Sequence, residues 1–295
     1  MTLMMIERAL VALEGLSVGD AFGEQLLHAG SAARVLALGA RTAPVGRTWM
    51  WTDDTAMALS IVEVLRAHDG IRPEVLAQRF AERYRDEPAR GYGGGAHRVL
   101  TAIGEGAPYE VAARSVFGGE GSCGNGGGMR SAPIGAYFAG DLGAVVEHAA
   151  RSAAPTHAHP DGVAGAIAIA VAAAAVFAGE REPRALLETV IAHTPAGPTR
   201  TGLARAVSLQ GAEVMTAAVE LGNGSQVLAS DTIPFAVWCA ATHLDDYAGA
   251  LWACGDAGGD IDTTCAMVGG IVVGATGLGG IPAAWRAARE QLPAA

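Results

Sequence analysis

Trp51-Thr52-Asp53-Asp54-Thr55 runs directly into Ala56-Met57-Ala58-Leu59-Ser60-Ile61-Val62-Glu63-Val64-Leu65. Met57, Ile61, Val64 and Leu65 recur at helical spacing, which predicts a helix with Thr52 as its N-cap and both aspartates in its first turn. Their carboxylates therefore gather at one helix end. Acidic residues there complement the helix macrodipole, for about 0.3–1 kcal/mol each, and capping alone would account for them. Two carboxylates flanked by two hydroxyls are also a dense set of hard oxygen donors, which suits Mg²⁺, Mn²⁺ or Ca²⁺ better than Zn²⁺. On this stretch alone both readings stand.

The same helical period recurs along the chain. Patterns are predicted near 5–20, 73–86, 108–117, 126–138, 142–153, 160–178, 182–193, 201–221, 232–243, 246–254 and 263–276, with no series of alternating strands and no repeat. The fold class expected is all-α. The 295 residues are read as a single domain, 1–295, since no linker interrupts them, and 41 glycines with only 5% aromatics favour closely packed helices. The first pattern is expected to end in Gly15-Leu16-Ser17-Val18-Gly19-Asp20-Ala21-Phe22-Gly23, where small residues permit close backbone approach and Gly19 and Gly23 bracket a turn, with Asp20 satisfying nearby backbone donors. Arg90-Gly91-Tyr92-Gly93-Gly94-Gly95 reads as a turn or loop.

Composition removes several classes of function. A formal net charge of −10 argues against nucleic-acid backbones and anionic membranes as main partners. All 20 basic residues are arginine, so a Walker A loop, a Schiff-base lysine and a lysine general base are excluded. Cys123, Cys239, Cys254 and Cys265 show neither zinc nor disulfide-framework spacing, and the N-terminus lacks a signal-peptide pattern, so a reducing cytoplasm is expected. The run from Val163 to Ala178 is apolar but shorter than a membrane span of about 20 residues and is expected to be a core helix.

A second acidic cluster, Gly258-Gly259-Asp260-Ile261-Asp262-Thr263-Thr264, opens the apolar helix through Met267, Val268, Ile271 and Val272. Together with Asp53 and Asp54 it supplies four carboxylates, which balance two divalent cations in charge; a matched pair of Asp-Thr helix mouths favours metal over capping. Asp260-Ile261-Asp262-Thr263-Thr264 also fits the aspartyl-nucleophile pattern of phosphatases. That chemistry needs a buried strand before it and a lysine, and Gly255-Asp256-Ala257-Gly258-Gly259 is no strand. Gly121-Ser122-Cys123-Gly124-Asn125-Gly126-Gly127-Gly128-Met129-Arg130 is either a flexible loop or an anion cradle, and Arg130 either neutralises a phosphate or pairs with a core carboxylate. Thr156-His157-Ala158-His159-Pro160 has no third zinc ligand nearby; its histidines line a pocket or cap the following helix.

Gly15 to Gly23, Trp51-Thr52-Asp53-Asp54-Thr55, Arg90-Gly91-Tyr92-Gly93, Gly124-Asn125-Gly126-x-x-Met129-Arg130, Thr156-His157 and Gly259-Asp260-Ile261-Asp262-Thr263 occur in an order that resembles the ADP-ribosylglycohydrolase family. The resemblance implies an all-α orthogonal bundle with a dinuclear Mg²⁺ or Mn²⁺ centre held by Thr52, Asp53, Asp54, Asp260, Asp262 and Thr263. It implies further that ADP-ribose lies with its diphosphate against Ser122, Cys123, Gly124, Asn125 and Gly126, and with His157 beside it. The implied reaction is hydrolysis of the glycosidic bond at the distal ribose of an ADP-ribosylated protein side chain or a related conjugate. Asp53 or Asp54 would then take the proton of the attacking water. Some members of the family carry a glutamate several residues past the glycine turn; here Leu26 and Leu27 stand at that spacing, and Glu24 is the nearest carboxylate, a candidate for a linkage-dependent role. The alternative is a non-catalytic ADP-ribose-binding module of the same fold.

Overall fold

A computed structural model describes residues 2–44 and 46–293. Among the described residues there are sixteen α-helices: α1 (Thr2–His28), α2 (Ser31–Ala40), α3 (Asp53–His68), α4 (Pro73–Asp86), α5 (Gly94–Gly104), α6 (Tyr109–Arg114), α7 (Ala132–Tyr137), α8 (Leu142–Ala153), α9 (Pro160–Phe177), α10 (Pro183–His193), α11 (Pro198–Ser208), α12 (Val214–Leu221), α13 (Ala229–Thr242), α14 (Tyr247–Ala257), α15 (Ile261–Thr276) and α16 (Ala283–Ala288). Among the described residues there are isolated bridges but no β-strands. The all-α expectation holds.

At the centre lies α9, the run read as a core helix. It is long and apolar enough to cross a membrane, yet 83% of it is buried inside the protein, packed by α7, α8, α10, α13 and α15. Eight of its 18 residues are alanine, so neighbouring helices approach closely and dispersion contacts are dense.

The most extensive helix pair is α1 against α15. Here the structure departs from the expected turn, because Gly15, Gly19 and Gly23 stay helical within α1. Their four-residue spacing puts them on one face, against α15. A methyl built on Gly19 would lie 2.1 Å from the Cys265 carbonyl oxygen, and one on Gly23 would lie 2.5 Å from Asp262 Cα. These glycines serve the close backbone approach expected of them without a chain reversal, and they seat α1 directly beneath the second acidic mouth.

Other differences are local. The pattern near 201–221 is two helices, α11 and α12, separated around Gly211, whose φ is 78°. The pattern near 126–138 is a single 3₁₀ turn, Asn125–Gly127, followed by α7 with Pro133 in its first turn, where a missing N–H costs nothing. Three helices lie outside the expected set. One is α2, which buries no residue, another is α5, which starts inside the glycine stretch and buries Val99, Leu100 and Ile103, and the third is the short C-terminal α16, which buries Trp285.

Candidate active site: two acidic helix mouths on one cavity

Thr52 caps α3 as its position predicts, its hydroxyl accepting from the Asp54 N–H at 3.4 Å. The anchor beneath it is Asp20, wholly buried on α1. Its carboxylate accepts from the Thr52 N–H (2.9 Å), the Thr52 hydroxyl (2.8 Å), the Thr55 N–H (3.1 Å) and the Thr55 hydroxyl (2.5 Å). Asp20 is thus the satisfied structural carboxylate expected from sequence, and it fixes the first mouth onto α1. The second mouth opens α15, where the Thr263 hydroxyl reaches Asp54 Oδ2 at 3.5 Å and joins the two clusters.

Asp53, Asp54, Asp260, Asp262 and Thr263 all line one cavity of about 490 Å³. Across it lies the glycine loop, with Ser122, Cys123, Gly124, Asn125 and Gly126 on its wall together with Arg130 and His157. The Asn125 side-chain amide donates to Asp260 Oδ2 at 2.7 Å and to the Thr232 hydroxyl at 3.1 Å, tying the loop to the second mouth. The loop is pinned on its other side as well. Asn125 N–H donates to the Val227 carbonyl at 3.1 Å, and Ala229 N–H to the Cys123 carbonyl at 2.9 Å.

The electrostatics show a site short of positive charge. Burial, and then the charges of Asp20 and Asp260, push the Asp53 carboxyl up to about 7. Burial with Asp20, Asp53 and Asp262 nearby raises Asp54 well above the usual carboxylate range, and burial beside Asp260 does the same for Asp262. Burial also lifts Asp20 to about 6, against the pull of its hydrogen bonds from Thr55 and Thr52. One oxygen each of Asp54 and Asp262 is buried without any hydrogen-bond partner. Among the described residues no three His, Cys, Asp or Glu side chains close into a ready cage. Threonine hydroxyls and orphaned carboxylate oxygens are nonetheless the donor chemistry a hard divalent cation requires, and a cation would relieve both the orphaned atoms and the like-charge repulsion.

Arg130 resolves differently from either expectation. Its guanidinium is buried, lies over the Phe80 ring at 4.6 Å, and donates to the Gly126 carbonyl (2.9 Å), the Ser152 carbonyl (2.9 Å) and the Thr156 hydroxyl (2.7 Å). It braces the glycine loop instead of pairing with a carboxylate. Burial lowers it to about 9, with Asp53 opposing the shift. Thr156, accepting from Arg130, shares a hydrogen bond of 2.8 Å with His157 Nδ1. Burial, reinforced by Arg130, pushes His157 down to about 3, so the ring is neutral, with its Nε2 edge turned toward Gly124 and Gly126. His159 is the cap, its Nδ1 accepting from the Asp161 N–H at 3.1 Å.

Glu24 is not brought to this cavity. It lies on helical α1, 3.6 Å from His28, and is absent from the cavity wall. The expected turn that would have carried it there does not form. Phe117 and Val227, by contrast, line the cavity without having been singled out. Both are non-glycine residues at positive φ, 53° and 58°, and both leave apolar side chains exposed, at 60% and 56%. Backbone in this region is costly for a β-branched residue, and neither position carries a sequence signal that would have revealed it.

The family model described as ADP-ribosylglycohydrolase matches residues 1–294. ADP-ribosylhydrolase ARH3 of Homo sapiens is 30% identical over 273 residues, covering 81% of this chain and 74% of that protein. ADP-ribosylhydrolase ARH3 of Danio rerio is 28% identical over 327 residues, covering 97% and 87%. A solved structure titled ADP-ribosylglycohydrolase-related protein complex superimposes with a TM-score of 0.69 at 27% identity, covering 97% of this chain and 93% of that one. An all-α bundle that holds its carboxylates against a glycine loop is thereby assigned to the glycohydrolases. The chain belongs to the ADP-ribosylglycohydrolase family.

Proposed function

We propose that this protein is a divalent-metal-dependent hydrolase that cleaves the glycosidic bond at the distal ribose of an ADP-ribosylated side chain or a related ADP-ribose conjugate and releases ADP-ribose. The observation that carries the reading is the pair of orphaned buried oxygens on Asp54 and Asp262, at a cavity whose facing wall is the glycine loop. Two Mg²⁺ or Mn²⁺ ions would be held by Thr52, Asp53, Asp54, Asp260, Asp262 and Thr263. Bound there, they supply Lewis acidity and orientation of a ribose diol.

The chain's own groups do the rest. The glycine loop lies on the cavity wall, where a diphosphate can approach its backbone, and the loop's own packing calls for glycine: a methyl on Gly124 would lie 3.1 Å from the Ser122 hydroxyl oxygen and 3.2 Å from the Val227 carbonyl oxygen. Neutral His157 offers a hydrogen-bonding edge without adding a charge. Phe117 and Val227 give the mouth an apolar rim suited to the flat face of a base. Asp53 is half-buried where Asp54 is 1% exposed, so Asp53 is the carboxylate better able to reach water and take its proton. Gly91 lies directly beside it, where a methyl would sit at van der Waals distance, 3.5 Å, from Asp53 Oδ1. The four free cysteines support a reducing, cytoplasmic setting.

The test is a panel of arginine-linked, serine-linked and small-molecule ADP-ribose conjugates, each with Mg²⁺, Mn²⁺ or a chelator. Free ADP-ribose is expected from at least one conjugate, and only with metal. Tight binding of every conjugate without release would identify a binding module instead.

A further inference from the structure

The segment that delivers Thr52 and Asp53 to the cavity is held by a charged cluster that no feature of the proposed chemistry requires. The Arg90 guanidinium lies face-on over the Trp51 indole, 3.4 Å from its centroid, and its Nη1 donates to the Trp51 carbonyl at 3.1 Å. The same guanidinium grips Glu290 through two hydrogen bonds of 2.6 and 2.9 Å and Glu87 through one of 2.7 Å. Its main chain acts as well, since the Asp53 N–H donates to the Arg90 carbonyl at 2.7 Å. Gly91, next in the chain, has a φ of 90° and lines the cavity beside Asp53. From the other side the C-terminal tail pairs with the same approach. Trp49 N–H donates to the Ala288 carbonyl and Glu290 N–H to the Trp49 carbonyl, each at 2.8 Å.

We propose that Arg90 is a positioning residue for the acidic site, clamping the approach 49–52 between its own guanidinium and the C-terminal residues 288–290 and so fixing the reach of Asp53. The inference rests on the reading of Asp53 as a metal ligand. Trp51 is 3% exposed and the Arg90 side chain 11%, so the guanidinium is held in a desolvated, geometrically defined seat while its carboxylate partners stay partly exposed. Only a planar guanidinium can stack on an indole while making paired hydrogen bonds to a carboxylate. Asp53 is the member of the site that needs such support. Asp54 is enclosed by its helix and by Thr263, whereas Asp53 is half-buried at the first helical position. Outer groups that orient a metal ligand typically alter affinity by about 10–100-fold when changed.

The experiment uses the full-length protein with Arg90→Lys, Glu290→Gln and, as reference, Asp53→Asn. Mn²⁺ affinity is measured by calorimetry, and backbone hydrogen exchange is measured on metal-free protein. Arg90→Lys and Glu290→Gln are expected to weaken Mn²⁺ by about 10-fold or more. In the metal-free state they should speed exchange at 49–55 while leaving α9 and α13 at parental rates. A purely structural role would instead raise exchange across the bundle together, and that result would overturn the inference. So would parental Mn²⁺ affinity in both variants while Asp53→Asn loses binding. Equal affinity in the parent and Asp53→Asn would overturn the metal reading itself and this inference with it. Should Arg90→Lys fail to fold, Glu290→Gln, at a partly exposed position, still decides the matter.

Discussion

At the scale of single residues, His157 gives the sharpest prediction. Its folded pKa of about 3 lies below the unfolded value near 6.5. Above pH 6.5 both states are neutral and the residue contributes no pH dependence. Below it the unfolded chain takes up a proton that the folded chain refuses, so stability falls with falling pH, by about 2–3 kcal/mol at pH 4.5. His157→Gln keeps a polar group against Thr156 and removes this loss. The variant should therefore gain on the parent between pH 6.5 and 4.5 in denaturant unfolding, and parallel curves would contradict the assignment. The metal ligands give a second prediction. Asp53→Ala and Asp262→Ala should abolish tight Mg²⁺ or Mn²⁺ binding in calorimetry with helical content retained. A third concerns Glu24. Placed on α1 beside His28, Glu24→Gln should leave turnover within a few-fold of the parent, against the loss of about 10²–10⁴ expected for a general acid or base.

At the scale of elements, the α1–α15 contact couples packing to chemistry. Gly19→Ala would drive a methyl to 2.1 Å from a carbonyl oxygen that cannot move without α15, so a destabilisation of about 1–3 kcal/mol or more is expected. Gly39→Ala on α2 is the matched control, because nothing lies within 4 Å of the new methyl. There the gain in helix propensity should be neutral to stabilising by about 1 kcal/mol. Opposite signs for the two substitutions in thermal unfolding would confirm that Gly19 is kept for approach distance; similar small effects would refute it. Helices such as α4 and α8 were legible because each repeats its apolar residues at helical period, and α9 because its run is apolar throughout. The close approach expected of Gly15 to Gly23 holds, but the turn expected between Gly19 and Gly23 does not form, since close approach and chain reversal both call for a residue without a side chain.

At the scale of the molecule, two helix mouths more than two hundred residues apart in sequence share one cavity, so any cation bound between them is linked to folding. A ligand that binds only the folded state at one hundred times its dissociation constant stabilises by about 2.7 kcal/mol. Chelation of metal-loaded protein should lower Tm by several degrees, and Asp262→Ala should remove that difference. The sequence alone determined the all-α class, the Thr52 cap, both acidic mouths, the glycine loop and the buried helix α9, because caps, periodicity and glycine content act within a few residues. Tertiary structure alone decided that Asn125 ties the loop to Asp260, that Arg130 braces Gly126, that Arg90 and Glu290 clamp the approach to Asp53, that Phe117 and Val227 form the rim, and that Glu24 stays off the cavity. Each of these depends on which helix faces which across long sequence separations, and a residue's own neighbours in the chain carry no record of that.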